Sequence, residues 1–128
     1  MNRLRNQKGQ ALVEFALILP ILLLVVMAIL QFGMMLNSYL TIENASREGA
    51  RAGIVGSTDA EIEQLIISTS PNLDPINLTV SITPAEGFRK SGDTITVDVS
   101  YNYELVVPII SSIVENVVLN GRTSMRVE

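Results

Sequence analysis

The chain has 128 residues, 13 acidic and 9 basic side chains, and a formal net charge of −4. This length allows one domain of ordinary size. The sequence contains no cysteine and no histidine, which excludes disulfides, thiolate nucleophiles, the commonest metal ligand and the commonest general base. The acidic balance also argues against a nucleic-acid surface, because such a surface needs a basic patch. We therefore expect a protein that is not an enzyme and that carries no cofactor and no metal.

Residues 11–36 form a nearly continuous apolar stretch. A helix of this length extends for about 39 Å, whereas about 20 residues suffice to cross the hydrocarbon core of a bilayer. A secretory signal peptide has a shorter apolar core of about 7–15 residues, so the stretch predicts a retained transmembrane helix. Pro20 removes one backbone hydrogen bond and is expected to bend or loosen this helix, either as a harmless kink or as a hinge.

Charge divides the chain into three predicted parts. The bases that precede the apolar stretch have no acid among them, and the part after it carries 12 acids against 6 bases. By the positive-inside rule we expect the N-terminus in the cytoplasm and the C-terminal part outside the cytoplasmic membrane. The predicted divisions are a leader at residues 1–9, a transmembrane helix at 10–36 and an extracytoplasmic domain at 37–128.

Glu14 is the one acid inside the apolar stretch. A charge at the centre of a membrane helix costs about 2.5–3.5 kcal/mol on insertion scales and less near the end, so it indicates a functional site. Cleavage after Gly9 would supply a partner, because Gln10 would then carry a free α-amine. The alternative is that Glu14 is a tolerated charge that reaches the membrane surface.

The helix is expected to continue beyond the membrane to about residue 55. Glu43, Arg47 and Arg51 are four residues apart and support a helix through i,i+4 pairs. Small residues at the same spacing form a second face that allows close packing, and they are Ala45, Gly49 and Gly53. Gly56 is a candidate C-cap. Thr58 and Glu61 then fit a capping box that opens a short helix over residues 59–68.

The C-terminal half shows the alternation typical of strands. Its first predicted strand places Ile76, Leu78, Val80 and Ile82 on one face, and its second continues that pattern from Ile95 to Leu105. One wet face and one covered face indicate an antiparallel sheet, and the helix at 37–55 is the expected cover. Residues 109–119 could form a short helix or an irregular hydrophobic region. Asn120-Gly121 predicts a turn before a last strand.

These elements predict an α+β fold, in which a long N-terminal transmembrane helix packs on a small antiparallel sheet. Gly9, Gln10 and Glu14 before a membrane helix resemble the class III leader of type IV pilins and pseudopilins. Phe15 after Glu14 is similar to the acid–aromatic pair of the Flp subfamily. The stretch from Asn44 to Arg51 resembles a segment of TadE-like proteins of the tight-adherence pilus system.

The resemblance implies a pilin-like fold and a structural role as a minor pilin or pseudopilin of a tight-adherence (Flp-type) pilus and secretion apparatus, which serves adhesion and biofilm formation. It assigns Gly9 and Gln10 to processing and Glu14 and Phe15 to assembly. The implied partners are a prepilin peptidase, other pilins, the inner-membrane assembly platform and membrane lipid. Helix packing or partner recognition is implied for a last group, which comprises Arg47, Glu48, Gly49, Arg51 and Gly53.

Three alternatives stay open on the sequence. The chain could be an uncleaved, single-pass anchor whose outer domain is an interaction module of the cell envelope. It could be the principal subunit of a type IV-like fibre. A membrane-tethered enzyme or sensor is disfavoured by the absence of histidine and cysteine. For Arg47 and Arg51, pairing with Glu43 and packing over the sheet is favoured over recognition of another pilus component.

Overall fold

The computed structural model describes residues 2–106 and 108–128. Its longest element is helix α1 (Asn2–Ile54), which continues through Pro20. The helix ends in a Schellman motif around Gly56, whose φ of 97° suits glycine. There the Ser57 N–H donates to the Ala52 carbonyl at 3.2 Å, and the Gly56 N–H donates to the Gly53 carbonyl at 3.3 Å. The predicted continuation of the helix beyond the apolar stretch is therefore confirmed, and so is the C-cap at Gly56.

The remaining described elements are two shorter helices, a 3-10 turn and a three-stranded antiparallel sheet with the order β1-β2-β3. In chain order they are α2 (Asp59–Thr69), a 3-10 turn (Pro75–Asn77), β1 (Leu78–Thr83), β2 (Thr94–Tyr103), α3 (Pro108–Ile113) and β3 (Val117–Arg126). The long apolar helix packs on this sheet, which confirms the predicted α+β fold.

Helix α2 begins where its capping box predicts. The Glu61 N–H donates to the Thr58 hydroxyl at 3.2 Å, and the Thr58 N–H donates to the Glu61 carboxylate at 3.0 Å. These two bonds satisfy backbone donors that have no partner inside the helix. Ile62 and Ile66, one turn apart, are fully buried and lie against α1 at Gly49.

The core lies between the C-terminal half of α1, helix α2 and one face of the sheet. The inward positions of β2 are buried: Ile95, Val97, Val99 and Tyr101. The other face carries cross-strand polar pairs, including Arg122 Nη2 to Asp98 Oδ2 at 2.7 Å. The alternation predicted for β2 therefore separates a covered face from a wet one, although the strand ends at Tyr103 rather than Leu105.

The predicted turn at Asn120-Gly121 is wrong, because both residues lie inside β3. Asn120 pairs with Ser100, and Gly121 pairs with Val99. A Cβ on Gly121 would lie 2.8 Å from Ile42 Cγ2 and 3.1 Å from the Ile42 carbonyl oxygen. The glycine thus permits the close approach of a strand to a helix rather than a change of chain direction.

The first strand starts later than predicted. Ile76 lies in the 3-10 turn with 90% of its surface exposed, so β1 begins at Leu78. The Asp74 carboxylate accepts the Ile76 N–H at 3.1 Å and caps that turn. Residues 109–119, for which the sequence allowed a helix or an irregular region, contain five of the six residues of α3 and the start of β3.

Candidate functional site

Helix α1 has a bare half and a covered half. No side chain from Ala11 to Leu30 is buried, and the most apolar window of the helix has a mean hydropathy of 2.9. The first buried side chain is that of Gln31, with 4% of its surface exposed. The bare segment has about 20 residues and a length of about 30 Å, which equals the thickness of the hydrocarbon core. Among the described residues, this is the one helix with the length and composition to cross a membrane.

Glu14 lies near the N-terminal end of the bare segment, one turn after Gln10. The Gln10 side-chain amide donates to Glu14 Oε1 at 3.3 Å, and both residues are exposed. In the described part of the chain no salt bridge reaches Glu14. A carboxylate offers about four acceptor positions, so most of its capacity is unused in a single copy of the chain.

The residues beside Glu14 are also open to contact. A Cβ at Gly9 would meet no other atom within 4 Å, and Phe15 has 58% of its surface exposed. The Gly9–Gln10 bond lies inside α1. Glycine weakens a helix by about 0.5–1 kcal/mol relative to alanine, so the helix is locally less stable at Gly9.

Gln31 connects the end of the bare segment to the sheet, and its role was not predicted from the sequence. Its Nε2 donates to the Tyr103 hydroxyl at 2.9 Å, and its Oε1 accepts the Val106 N–H at 3.2 Å. The signal that could have identified it is a single neutral polar side chain in the apolar stretch, since a buried amide requires partners. Gln31 thus fixes the position of the sheet along the axis of α1.

The segment from Arg47 to Gly53 divides into an inward and an outward side. A Cβ on Gly49 would lie 2.9 Å from Ile66 Cδ1, and one on Gly53 would overlap Ile95 Cδ1. These two glycines let α1 approach α2 and β2 closely. The side chains on the outward side are exposed and comprise Arg47, Glu48 and Arg51.

The outward charges are only partly paired. Arg47 Nη2 lies 3.7 Å from Glu43 Oε2, and the Arg47 side chain is 65% exposed. Such surface pairs contribute about 0.3–0.5 kcal/mol on a helix. In the described residues Arg51 forms no salt bridge, so the pairing expected along the series reaches Arg47 and stops there. The Arg51 guanidinium is therefore available to a partner.

The two groups of predicted site residues lie far apart. Glu14 and Arg51 are separated by 37 residues of one helix, which corresponds to about 55 Å at 1.5 Å per residue. They therefore cannot form one site within a single copy. In the described residues no group of three acidic side chains is placed to hold a metal ion.

Comparison with known families identifies the N-terminal part. Residues 9–51, about a third of the chain, match the family described as TadE-like protein. The matched range includes Gly9, Glu14 and Arg51, and it excludes the sheet. No curated protein and no solved structure gives a significant match to the chain. The chain therefore contains a TadE-like domain at residues 9–51, which is consistent with a TadE-like protein of the Tad pilus system.

Proposed function

We propose that this chain is a structural minor pilin or pseudopilin of the Tad (Flp-type) pilus, with no catalytic role of its own. The observation that carries the proposal is Glu14, an exposed carboxylate on a bare apolar helix with no salt bridge to any described residue. The TadE-like match over the same residues supports it. By this proposal the chain assists assembly of a fibre or secretion apparatus that serves adhesion and biofilm formation.

The bare segment from Ala11 to Leu30 anchors the chain in the inner membrane before assembly. Its length of about 30 Å matches the hydrocarbon core, and lipid covers side chains that the protein itself leaves exposed. The bases at Arg3, Arg5 and Lys8 favour a cytoplasmic N-terminus. The sheet domain then lies on the extracytoplasmic side.

Processing creates a positively charged partner for Glu14. A prepilin peptidase cuts between Gly9 and Gln10 on the cytoplasmic side, and the new N-terminus is the α-amine of Gln10. This amine of one copy approaches Glu14 of its neighbour. At an effective dielectric constant of 20, a pair 4 Å apart gains about 4 kcal/mol before desolvation. The pair therefore favours one axial register of neighbouring helices.

Apolar packing between helices supplies the larger part of the assembly energy. Side chains such as Leu12, with 69% of its surface exposed, and Phe15, with 58%, are free to pack in a helical bundle. In lipid this association depends on close packing rather than on release of water. The remaining partners in the proposal are other pilins and the inner-membrane assembly platform.

The test is incorporation of Glu14 variants in cells that carry the pilus machinery and lack the resident copy of this chain. Glu14→Ala and the near-isosteric Glu14→Gln are compared with Leu22→Ala, which shortens an exposed side chain of the same span without changing charge. Because Glu14 lies in the bare segment and does not contact the sheet domain, neither Glu14 variant should disturb that domain. Loss of only about 1.4 kcal/mol of pairing energy lowers incorporation about tenfold.

The readouts are the mass of the chain in the membrane and its amount in the sheared pilus fraction. Both Glu14 variants should be cleaved normally and be depleted from the pilus fraction, whereas Leu22→Ala, which keeps the charge pair, should be depleted less. Incorporation of both Glu14 variants at the level of the unchanged chain would rule out the pairing mechanism.

A further inference from the structure

The connection between β2 and β3 carries exposed apolar side chains that the sheet does not use. Between Glu104 and Glu115 the sequence has no charged residue. Four described side chains here expose large fractions of their surface: Val106 75%, Ile109 53%, Ile113 77% and Val114 45%. We call these four residues the apolar lobe. Solvent-exposed apolar side chains clustered in this way mark a contact surface.

The path of the strands along α1 places the apolar lobe at the membrane end of the domain. Strand β2 runs toward the membrane, from Ile95 beside Gly53 to Tyr103 beside Gln31. Strand β3 returns, because Gly121 packs against Ile42 and the Thr123 hydroxyl lies 2.8 Å from that of Ser46. The connection between the two strands therefore lies at or below the level of Gln31.

A hydrogen bond sets this level on the helix. The Val106 N–H donates to Gln31 Oε1 at 3.2 Å, and Leu30 is the last residue of the bare segment. If that segment fills the hydrocarbon core, Gln31 lies at the boundary between hydrocarbon and headgroups. The first residue of the apolar lobe then lies at the same boundary.

The opposite end of the sheet has different chemistry. The connection between β1 and β2 carries several charged side chains, namely Glu86, Arg89, Lys90 and Asp93. Arg89 is tied down there, with its guanidinium paired to Asp59 and donating to the Ser57 carbonyl at 3.1 Å. Phe88, with 75% of its surface exposed, is the exposed large apolar side chain of this connection. The concentration of exposed apolar surface is thus a property of the membrane end.

We propose that the apolar lobe inserts into the outer leaflet of the membrane as a second lipid contact of the chain. Interfacial segments of this kind bury their apolar face about 5–10 Å into the boundary between headgroups and acyl chains. Lipid is the occupant because the lobe is fixed to the same helix at the level where the membrane span ends. The flanking acids Glu104 and Glu115 lie among the headgroups and favour zwitterionic over anionic lipid. The contact fixes the depth and the rotation of the domain relative to the membrane before assembly. This inference rests on the membrane anchor of the proposed function.

The test uses single-cysteine variants of the full chain, which has no cysteine of its own. Ile109→Cys and Ile113→Cys probe the lobe, Leu22→Cys probes the span, and Phe88→Cys is an exposed apolar control at the far end. Each variant is labelled with the environment-sensitive dye NBD and reconstituted in phosphatidylcholine vesicles. Spin-labelled lipid then quenches dyes in the bilayer, and aqueous iodide quenches dyes in water.

We expect the dye at both lobe positions to have blue-shifted emission and to be quenched by the spin-labelled lipid, as at position 22. The dye at position 88 should be quenched by iodide. If position 22 escapes the lipid quencher, the membrane anchor itself fails. If position 22 is quenched while both lobe positions respond to iodide, the lipid contact is overturned and the anchor stands. Protection of the lobe from both quenchers would assign it to contact with a second copy and would also overturn the lipid contact.

Discussion

Substitution of Gly121 by alanine tests the close approach of β3 to α1. The added Cβ would lie 2.8 Å from Ile42 Cγ2 and 3.1 Å from the Ile42 carbonyl carbon and oxygen. Ordinary contacts between carbon atoms are about 3.5–4.0 Å. Ile42 is fully buried, so its side chain has little room to move, and its backbone cannot move without the helix. Gly121→Ala must therefore separate the strand from α1 or deform one of them.

The expected cost follows from two opposing effects. Overpacking of a core by an extra methyl group costs about 1–3 kcal/mol. Replacing glycine by alanine in a strand returns about 0.5–1 kcal/mol, because the unfolded chain loses less freedom on folding. We expect Gly121→Ala to lower the free energy of unfolding by about 1–2 kcal/mol. For a domain of this size that loss corresponds to a fall in Tm of about 4–15 °C.

The assay is thermal unfolding of the full chain in detergent micelles, followed by the circular dichroism of the sheet. Gly33→Ala is the matched control, because a Cβ at that helical position meets no atom within 4 Å. That control should keep or slightly raise the Tm. A Tm for Gly121→Ala equal to or above that of the unchanged chain would refute the close packing of strand and helix.

Three further substitutions test the other contacts. Gln31→Leu leaves the Tyr103 hydroxyl and a backbone N–H without their partner, so it should cost about 1–3 kcal/mol in the same unfolding assay. An unchanged Tm would contradict that role. Thr58→Ala removes the capping box and should cost about 1 kcal/mol, seen as faster amide exchange at the start of α2; unchanged exchange would show that the cap is dispensable. Arg51→Glu should change the free energy of unfolding by less than about 0.5 kcal/mol, since the residue is exposed and forms no salt bridge among the described residues, and incorporation into the pilus should stay intact. Loss of incorporation at unchanged stability would instead assign Arg51 to partner recognition.

Local patterns predicted the elements that local physics determines. The alternation from Ile95 gave β2 because a sheet with one covered face requires it. Thr58 and Glu61 gave the start of α2 because a capping box needs only four neighbouring residues. The first prediction rests on the periodicity within one strand, and the second rests on contacts within four residues.

Contacts between distant segments were beyond the sequence. Asn120-Gly121 has the composition of a tight turn, and only the position of Ile42 shows that the glycine serves helix packing instead. The role of Gln31 likewise depends on Tyr103, which is 72 residues away in the chain. For the candidate site, the sequence identified the exposed acid at Glu14. The sequence also placed that acid in a span separate from the sheet, but it did not show that the covered part of α1 begins as early as Gln31.

The most direct test of the proposed pilin pathway is the N-terminus of the mature protein. The full chain is expressed with and without its own prepilin peptidase, and its intact mass and N-terminal sequence are measured. We predict a start at Gln10 that depends on the peptidase, because that cleavage provides the amine for Glu14. A start at Met1 in both cases would contradict the account and would favour an uncleaved membrane anchor that carries an interaction module.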